Sequence, residues 1–166
     1  MKNLAAVCGA LLVCSCAGPR IVEGPANREP PPTSVAVLDF SARDRAASGL
    51  AADGCLTAAM DLRLRAVERF KLEPLLAERE LSRSAEQPAE YYKQLGELAG
   101  ADAFVLGSSK LTNHGPAERL EIRARLVSAR SGEVIRVVTY TAVPTGMFSE
   151  SEGDAAESAC RALLSD

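Results

Sequence analysis

The chain has 166 residues, of which 19 are basic and 22 acidic, giving a formal net charge of −3 at neutral pH. It has no Trp and only three Tyr and four Phe, so the sequence lacks both the basic character and the stacking aromatic residues of a typical nucleic-acid-binding protein. This length is enough for one globular domain with a single hydrophobic core.

The first sixteen residues have the pattern of a bacterial lipoprotein signal. One basic residue, Lys2, precedes an apolar run from Leu4 to Val13 that is too short for a transmembrane helix. The run ends in Val-Cys-Ser-Cys, with a branched residue three positions before Cys16 and a small residue immediately before it. We therefore expect residues 1–15 to be removed and lipid, including palmitate, to be attached to Cys16. The alternative is an ordinary cleaved secretory signal with incidental cysteines.

The residue after the expected lipidation site bears on localisation. Ala17 follows Cys16, where Asp would favour retention in the inner membrane by analogy with lipoprotein sorting in enteric bacteria. The sequence therefore favours an outer-membrane lipoprotein that is anchored by its lipid and faces the periplasm.

A proline-rich linker is predicted between the lipidated cysteine and the domain, over residues 16–33. Five prolines fall between residues 17 and 33, without the apolar period of a helix or a strand. Such segments favour extended polyproline II, which would hold the domain up to roughly 50 Å from the lipid surface. The periplasmic domain is expected to comprise residues 34–166.

The first half of this domain predicts two strands and two helices. Residues 34–40 are continuously apolar, as in a central strand covered on both faces, and residues 46–61 have helical periodicity despite two glycines. Residues 62–67 alternate and predict a second strand near a sheet edge, followed by a short helix around residues 72–81.

The second half predicts a helix, three strands and a last helix. A helix over 89–99 ends at Gly100, and the strand over 101–107 is apolar on both faces, so it is expected to lie parallel to the first strand. Residues 120–126 and 134–143 predict a hairpin, and residues 152–164 a helix. The order β-α-β-α-α-β-β-β-α indicates a single α/β domain with a mixed sheet of about five strands.

Two cysteines, Cys55 and Cys160, remain in the domain, both within predicted helices. In an oxidising compartment they could form a disulfide closing a loop of about 105 residues, which is worth up to roughly 4.7 kcal/mol in the chain-entropy model. Each could instead be a small buried hydrophobic residue, so both interpretations stay open.

Four segments, in this order and spacing, resemble the curli-assembly lipoprotein family. They are the segments 35–40, 67–78 (Val-Glu-Arg-Phe-Lys-Leu-Glu-Pro-Leu-Leu-Ala-Glu), 100–107 and 126–134. The group is similar to the TolB amino-terminal domain, the flagellar outer-membrane lipoprotein FlgO and the penicillin-binding-protein activator LpoB. The resemblance implies a TolB-like α/β fold. It also implies a protein that is not an enzyme and that binds or assembles envelope proteins. A departure is Ser128, where relatives often have Asp.

No pattern for catalysis, a cofactor, a metal or a small-molecule substrate emerges from the sequence. Gly107-Ser-Ser-Lys110 lacks the first glycine and the following helix of a phosphate-binding loop. His114 is the sole histidine, with no second residue to complete a metal site or a nucleophile–base pair. Asp39 and Asp102 are expected at opposite ends of parallel strands, too far apart for paired acid–base work.

The alternating strand at 120–126 supplies the candidate binding surface. Its apolar residues share one face, which leaves Glu121, Arg123 and Arg125 on the other, with Arg136 expected beside them from the hairpin partner. We expect this face, together with an exposed strand edge, to bind an envelope or periplasmic protein; a merely solvated sheet face is the alternative. Together with this surface, the resemblance implies an accessory lipoprotein of secretion, flagellar or peptidoglycan-synthesis systems. The second hypothesis is a self-associating subunit of an oligomeric, curli-type channel or ring.

Overall fold

The structure, a computed structural model, describes residues 19–67, 89–114, 117–142 and 150–165, without the side chains of residues 39, 113, 114, 117 and 118. Its strands are β1 (Arg20–Glu23), β2 (Ser34–Ser41), β3 (Arg65–Val67), β4 (Ala103–His114), β5 (Ala117–Ser128) and β6 (Val134–Ala142). Its helices are α1 (Arg45–Asp61), α2 (Ala89–Ala99) and α3 (Glu152–Leu164), and a short 3-10 helix spans Pro25–Arg28.

The strands form one mixed sheet in the order β1-β6-β5-β4-β2-β3. β2 is parallel to β3 and β4, and the other neighbouring pairs are antiparallel. The predicted α/β class and the parallel pairing of the two apolar strands are confirmed. The sheet is larger than the predicted five strands, because six lie within the described residues.

One face of the sheet carries the main core, covered by α1 and α3. Side chains from β2, β4, β5 and β6 meet the small residues of both helices, and the largest of the buried side chains include Ile122 and Leu163. The two helices approach closely because their contact consists of alanines, cysteines and glycines: a Cβ added at Gly54 would lie 2.2 Å from the carbonyl oxygen of Gly153. Gly54, which weakened the sequence prediction of α1, is therefore where the helix backbones meet.

Among the described residues, α2 packs on the other face, where a second cluster of buried residues includes Ala36 and Leu38 of β2, Val67 of β3, Phe104 of β4 and Val127 of β5. Tyr92 and Leu95 of α2 are buried against Phe104, and the rings of Tyr92 and Phe104 have centroids 5.8 Å apart. α2 ends as predicted at Gly100, whose φ of +66° is a conformation that glycine adopts without strain.

The strand predicted over 62–67 is shorter in the structure, because α1 ends in a turn before it. The backbone N–H groups of Leu62, Arg63 and Leu64 donate to carbonyls of the last turn of α1, and Arg63 has a φ of +60°. β3 consequently begins at Arg65, at the sheet edge, as expected. The helix predicted over 72–81 lies outside the described residues.

The predicted free linker is corrected from residue 20 onwards, because this segment docks on the domain. β1 pairs with the outer edge of β6, and the N–H of Gly24 donates to the carbonyl of Ile135 at 2.7 Å. Ala26 is buried, and a Cβ at Gly24 would lie 2.0 Å from the carbonyl oxygen of Val134. The sequence of β1 gave no signal because all four residues are exposed; the strand forms because β6 offers unpaired backbone groups.

Candidate functional site

Alternation along β5 divides its side chains between the two faces of the sheet as the sequence predicts. Leu120, Ile122, Ala124 and Leu126 are each at most 4% exposed and lie in the main core beneath α1 and α3. Glu121, Arg123 and Arg125 point to the opposite side, which we call the open face. Arg119 of β5 lies on the same face. By register, the face also includes Ser108 and Lys110 of β4, Val137, Thr139 and Thr141 of β6, and Arg20 and Val22 of β1.

The open face is predominantly basic. Arg123 donates to Glu121 at 2.8 Å, and the Arg123 side chain remains 65% exposed. Arg125 lies deeper, near Tyr92, where its charge partly opposes the rise that burial causes in the pKa of the Tyr92 hydroxyl. The face therefore offers hydrogen-bond donors and positive charge to a partner, with Glu121 as the acidic residue directly opposite Lys110.

Arg136, expected beside these residues, lies on the other face of the sheet. Next to the turn, Val127 pairs with Val134, and continuing that register would place Arg136 opposite Arg125. A β-bulge between Leu126 and Val127 shifts the register by one residue, so Arg136 lies opposite Leu126 instead. A one-residue shift exchanges the two faces of a strand. The structure thus brings Glu121, Arg123 and Arg125 together but not Arg136.

In its observed position Arg136 connects three chain segments. Its guanidinium donates to the carbonyl of Leu163 at 3.3 Å and to that of Ser165, at the carboxyl end of α3. It also pairs with Glu23 of β1 at 2.8 Å. A cation at a helix carboxyl terminus interacts favourably with the helix dipole, so Arg136 holds β1 and α3 to the sheet.

Asp102, weighed above as an acid–base residue, acts as a structural acceptor. Its Oδ2 accepts from the backbone N–H groups of Thr33 and Ser34, both at 3.0 Å, and from their hydroxyls at 2.7 and 2.8 Å. The hydrogen bond from the Thr33 hydroxyl is the main reason that the pKa of Asp102 lies below its ordinary value, with Ser34 contributing in the same direction. The carboxylate fixes the start of β2 to the start of β4.

Replacing Asp102 by Asn should therefore destabilise the protein in a pH-dependent way. Because the folded pKa lies below the unfolded value, the ionised carboxylate stabilises the fold at pH values above the unfolded pKa. That contribution is lost as the pH falls through the folded pKa. At neutral pH we expect Asp102→Asn to lower the free energy of unfolding by about 0.5–1 kcal/mol, a modest value because the site is solvent-accessible.

Urea unfolding of both proteins at a series of pH values measures this effect. The difference between wild type and variant should shrink below the ordinary carboxyl pKa of 3.8. A difference that stays constant down to the most acidic condition would show that the charge of Asp102 is not what matters.

Ser128, the departure from the resembled family, is part of a second polar connection that the sequence did not reveal. Its buried hydroxyl donates to Glu29 at 2.6 Å and accepts from the N–H groups of Arg130 and Ser131. The hydrogen bond from Ser128 is the main cause that lowers the pKa of Glu29. An Asp at position 128 would place a second carboxylate against Glu29, whereas Ser128 supplies a hydrogen-bond donor to it.

The structure joins Cys55 of α1 to Cys160 of α3 by a disulfide, with the two Cα atoms 5.1 Å apart. Both cysteines are completely buried, in the middle of the contact between the two helices. The bond therefore fastens the helical layer that covers the main core, on the side of the sheet away from the open face.

The other sequence candidates do not assemble into a catalytic or metal site in the described part of the chain. Gly107 and Lys110 lie within β4, as expected for a continuing strand, and a Cβ at Gly107 would clash with the ring of Phe40. No cluster of three metal-ligating side chains occurs among the described residues. The lipidation candidate Cys16 and the side chains of Asp39 and His114 lie outside the description. Of the helices described, none is both long and apolar enough to cross a bilayer.

Comparisons with known proteins give one family and several similar folds. The model of the curli production assembly/transport component CsgG matches residues 60–115. A PelC dodecamer from Paraburkholderia phytofirmans has a TM-score of 0.52 at 15% identity, covering 88% of this chain and 94% of that one. The lipoprotein GNA1162 from Neisseria meningitidis has a TM-score of 0.54 at 16% identity, covering 74% and 87%.

The carboxy-terminal domain of LpoB from Salmonella enterica gives a TM-score of 0.50 at 15% identity, covering 70% of this chain and 87% of that one. A search of curated proteins gives no match. The resemblance to curli-assembly and LpoB-like proteins that the sequence predicted is confirmed. At these identities the solved structures establish a shared fold.

Proposed function

We propose that this protein is a non-enzymatic outer-membrane lipoprotein whose periplasmic domain binds an envelope protein through the open face. The observation that carries the proposal is the predominantly basic part of the open face around Arg123, on β5 and its neighbouring strands, beyond the buried cluster that packs against α2. The partner is expected to present acidic and hydrogen-bond-accepting groups, because Arg123 and Arg125 supply donors and positive charge. The similarity to a CsgG assembly component and to the lipoprotein GNA1162 supports an accessory role in an envelope assembly or secretion system.

The edge strand β1 extends this surface. Its outer backbone groups face away from β6, and Ile21 and Val22 are 46% and 50% exposed. An extended segment of a partner could pair with such an edge by main-chain hydrogen bonds, while the adjacent open face supplies side-chain contacts. Of these two side chains, Val22 lies on the open face opposite Val137, whereas Ile21 lies opposite Val138 on the face of the main core.

Exchanging the charge of the open face tests the proposal. The double variant Arg123→Glu/Arg125→Glu should lower recovery of the partner by tenfold or more, because like charges then face its acidic groups. The measurement is quantitative co-purification of the full-length, membrane-extracted protein with envelope proteins after in-cell crosslinking. A matched control, Arg28→Glu/Arg63→Glu, makes the same charge change at exposed positions off this face and should leave recovery unchanged.

Equal recovery with both double variants would contradict a binding role for the open face. Both variants should first be shown to fold like the wild type, with free energies of unfolding within about 0.5 kcal/mol of its value. Surface substitutions usually change stability by no more than that amount.

A ring-forming subunit is the second candidate, favoured by the similarity to the PelC dodecamer over 88% of this chain. The mass of the detergent-extracted full chain, measured by light scattering after size exclusion, distinguishes the two. A monomer supports the adaptor, and a closed oligomer supports the ring.

A further inference from the structure

The docked amino-terminal segment leaves a very short connection between the proposed lipid anchor and the domain. β1 begins at Arg20, four residues after Cys16. A fully extended chain spans at most about 3.6 Å per residue, so the Cα atoms of these two residues are at most about 14 Å apart. This inference rests on the lipidation proposed above. If Cys16 carries the lipid, Arg20 cannot leave the neighbourhood of the membrane surface while β1 remains paired.

The direction of β1 determines which end of the domain lies nearest the proposed lipid anchor. Arg20 pairs with Thr139 and Glu23 with Arg136, so the chain before Arg20 enters from the side of Thr141. Across the sheet, Thr141 is level with Glu121 and Lys110, close to where β4 passes into β5. We call this the hairpin end; it is the end nearest the proposed anchor.

Basic side chains without ion-pair partners collect at the hairpin end. Arg20, Lys110 and Arg119 are all exposed, and none has a carboxylate within salt-bridge distance in the described part of the structure. Among the described side chains, the nearby carboxylates are engaged elsewhere. Glu121 pairs with Arg123, and on the opposite face Glu150 and Glu152 accept from the hydroxyls of Tyr140 and Ser109. The positive charge at the hairpin end is therefore available to an external anion.

We propose that the hairpin end rests on the membrane that holds the Cys16 lipid, and that Arg20, Lys110 and Arg119 bind the anionic headgroups of its phospholipids. The tether length brings these side chains to the surface, and their charge complements it. Each Lys or Arg near an anionic bilayer contributes a factor of about five to the binding equilibrium, so the three together favour this orientation by roughly 100-fold. The domain then stands on its hairpin end, with Arg125 and α2 directed away from the lipid.

Depth-dependent fluorescence quenching tests the orientation in the intact lipidated protein. A small dye is attached at Leu111→Cys, at the hairpin end, or at Leu98→Cys in α2, at the opposite end; the wild-type residues are 38% and 57% exposed. The buried disulfide leaves Cys55 and Cys160 unavailable to the dye. The vesicles contain a nitroxide-headgroup lipid in either phosphatidylcholine alone or equimolar phosphatidylglycerol and phosphatidylcholine.

We expect strong quenching at position 111 and little at position 98, in the anionic vesicles. The triple variant Arg20→Gln/Lys110→Gln/Arg119→Gln, or the neutral vesicles, should reduce the quenching at 111 towards that at 98. The matched control Arg28→Gln/Arg63→Gln/Lys93→Gln removes the same charge from exposed positions elsewhere and should behave as wild type.

The possible outcomes separate this inference from the anchor on which it rests. A protein whose membrane fractionation and processing are unchanged by Cys16→Ser carries no lipid there, which overturns the anchor and this inference with it. An anchored protein with equal quenching at both positions overturns only the orientation. Quenching at 111 that is insensitive to both lipid charge and the triple variant shows that the tether acts alone, and it overturns the headgroup contact.

Discussion

Replacing Cys55 and Cys160 together by Ala is expected to lower the free energy of unfolding by roughly 2–5 kcal/mol, the range for loss of a native disulfide. The bond closes a loop with a sequence separation of 105 residues, so it removes many conformations from the unfolded chain. It also joins two helices whose contact is built from small side chains, each of which buries little apolar area. Urea unfolding of the oxidised full chain, without reductant, measures the loss.

The two single variants distinguish a disulfide from two independent buried thiols. If the bond exists in solution, Cys55→Ala or Cys160→Ala alone breaks it, and the second substitution should add little to the first. If the thiols were independent hydrophobic residues, the two effects would be closer to additive. Two reactive thiols in the denatured, unreduced mature protein would also contradict the bond.

Replacing Gly54 by Ala is expected to destabilise the protein by about 1–3 kcal/mol, as for other substitutions that overpack a core. The new Cβ would lie 2.2 Å from the backbone carbonyl oxygen of Gly153 and 3.0 Å from the N atom of Glu157. Because these are backbone atoms of α3, the clash can be relieved only by moving one helix away from the other. Such a shift would disturb the packing around the disulfide as well.

Gly49, on the same helix, provides the control. A Cβ there has no heavy atom within 4 Å outside its own helical surroundings, so Gly49→Ala should stabilise the protein by about 0.5–1 kcal/mol through helix propensity. Thermal or urea unfolding of the two variants should therefore give changes of opposite sign. A gain in stability at both positions would mean that α1 and α3 are not in close backbone contact.

Placement of the amino-terminal segment changes how the proposed lipoprotein relates to its membrane. A free proline-rich linker would allow the domain to sample distances up to roughly 50 Å from the lipid surface. With β1 on β6 and Glu29 on Ser128, the chain is fixed to the domain from Arg20 onwards, so a lipid on Cys16 would hold the domain near the membrane surface. On that proposal, the domain would meet its partner close to the outer membrane.

The sequence predicted the elements whose patterns are local. α3 has the predicted bounds, α1 and α2 differ by at most a residue, and β5 alternates between a buried and a charged face as expected. These predictions hold because periodicity and end signals such as Gly100 act within a few residues of one another. The basic surface at Arg123 and Arg125 follows from the same alternation.

Features that depend on contacts between distant segments came only from the tertiary structure. Arg136 lies on the opposite face from Arg125 because a single bulge shifts the β5–β6 register, which the alternation of each strand does not encode. β1 forms a strand because it pairs with the edge of β6, and position 54 requires glycine because the backbone of α3 lies against it. The sequence by itself thus determined the three described helices, the central strands and which residues alternate between faces, but not β1. Tertiary packing decided which segments those faces contact. Strand register, edge pairing and helix–helix contact each depend on two segments of the chain, so neither segment encodes them alone.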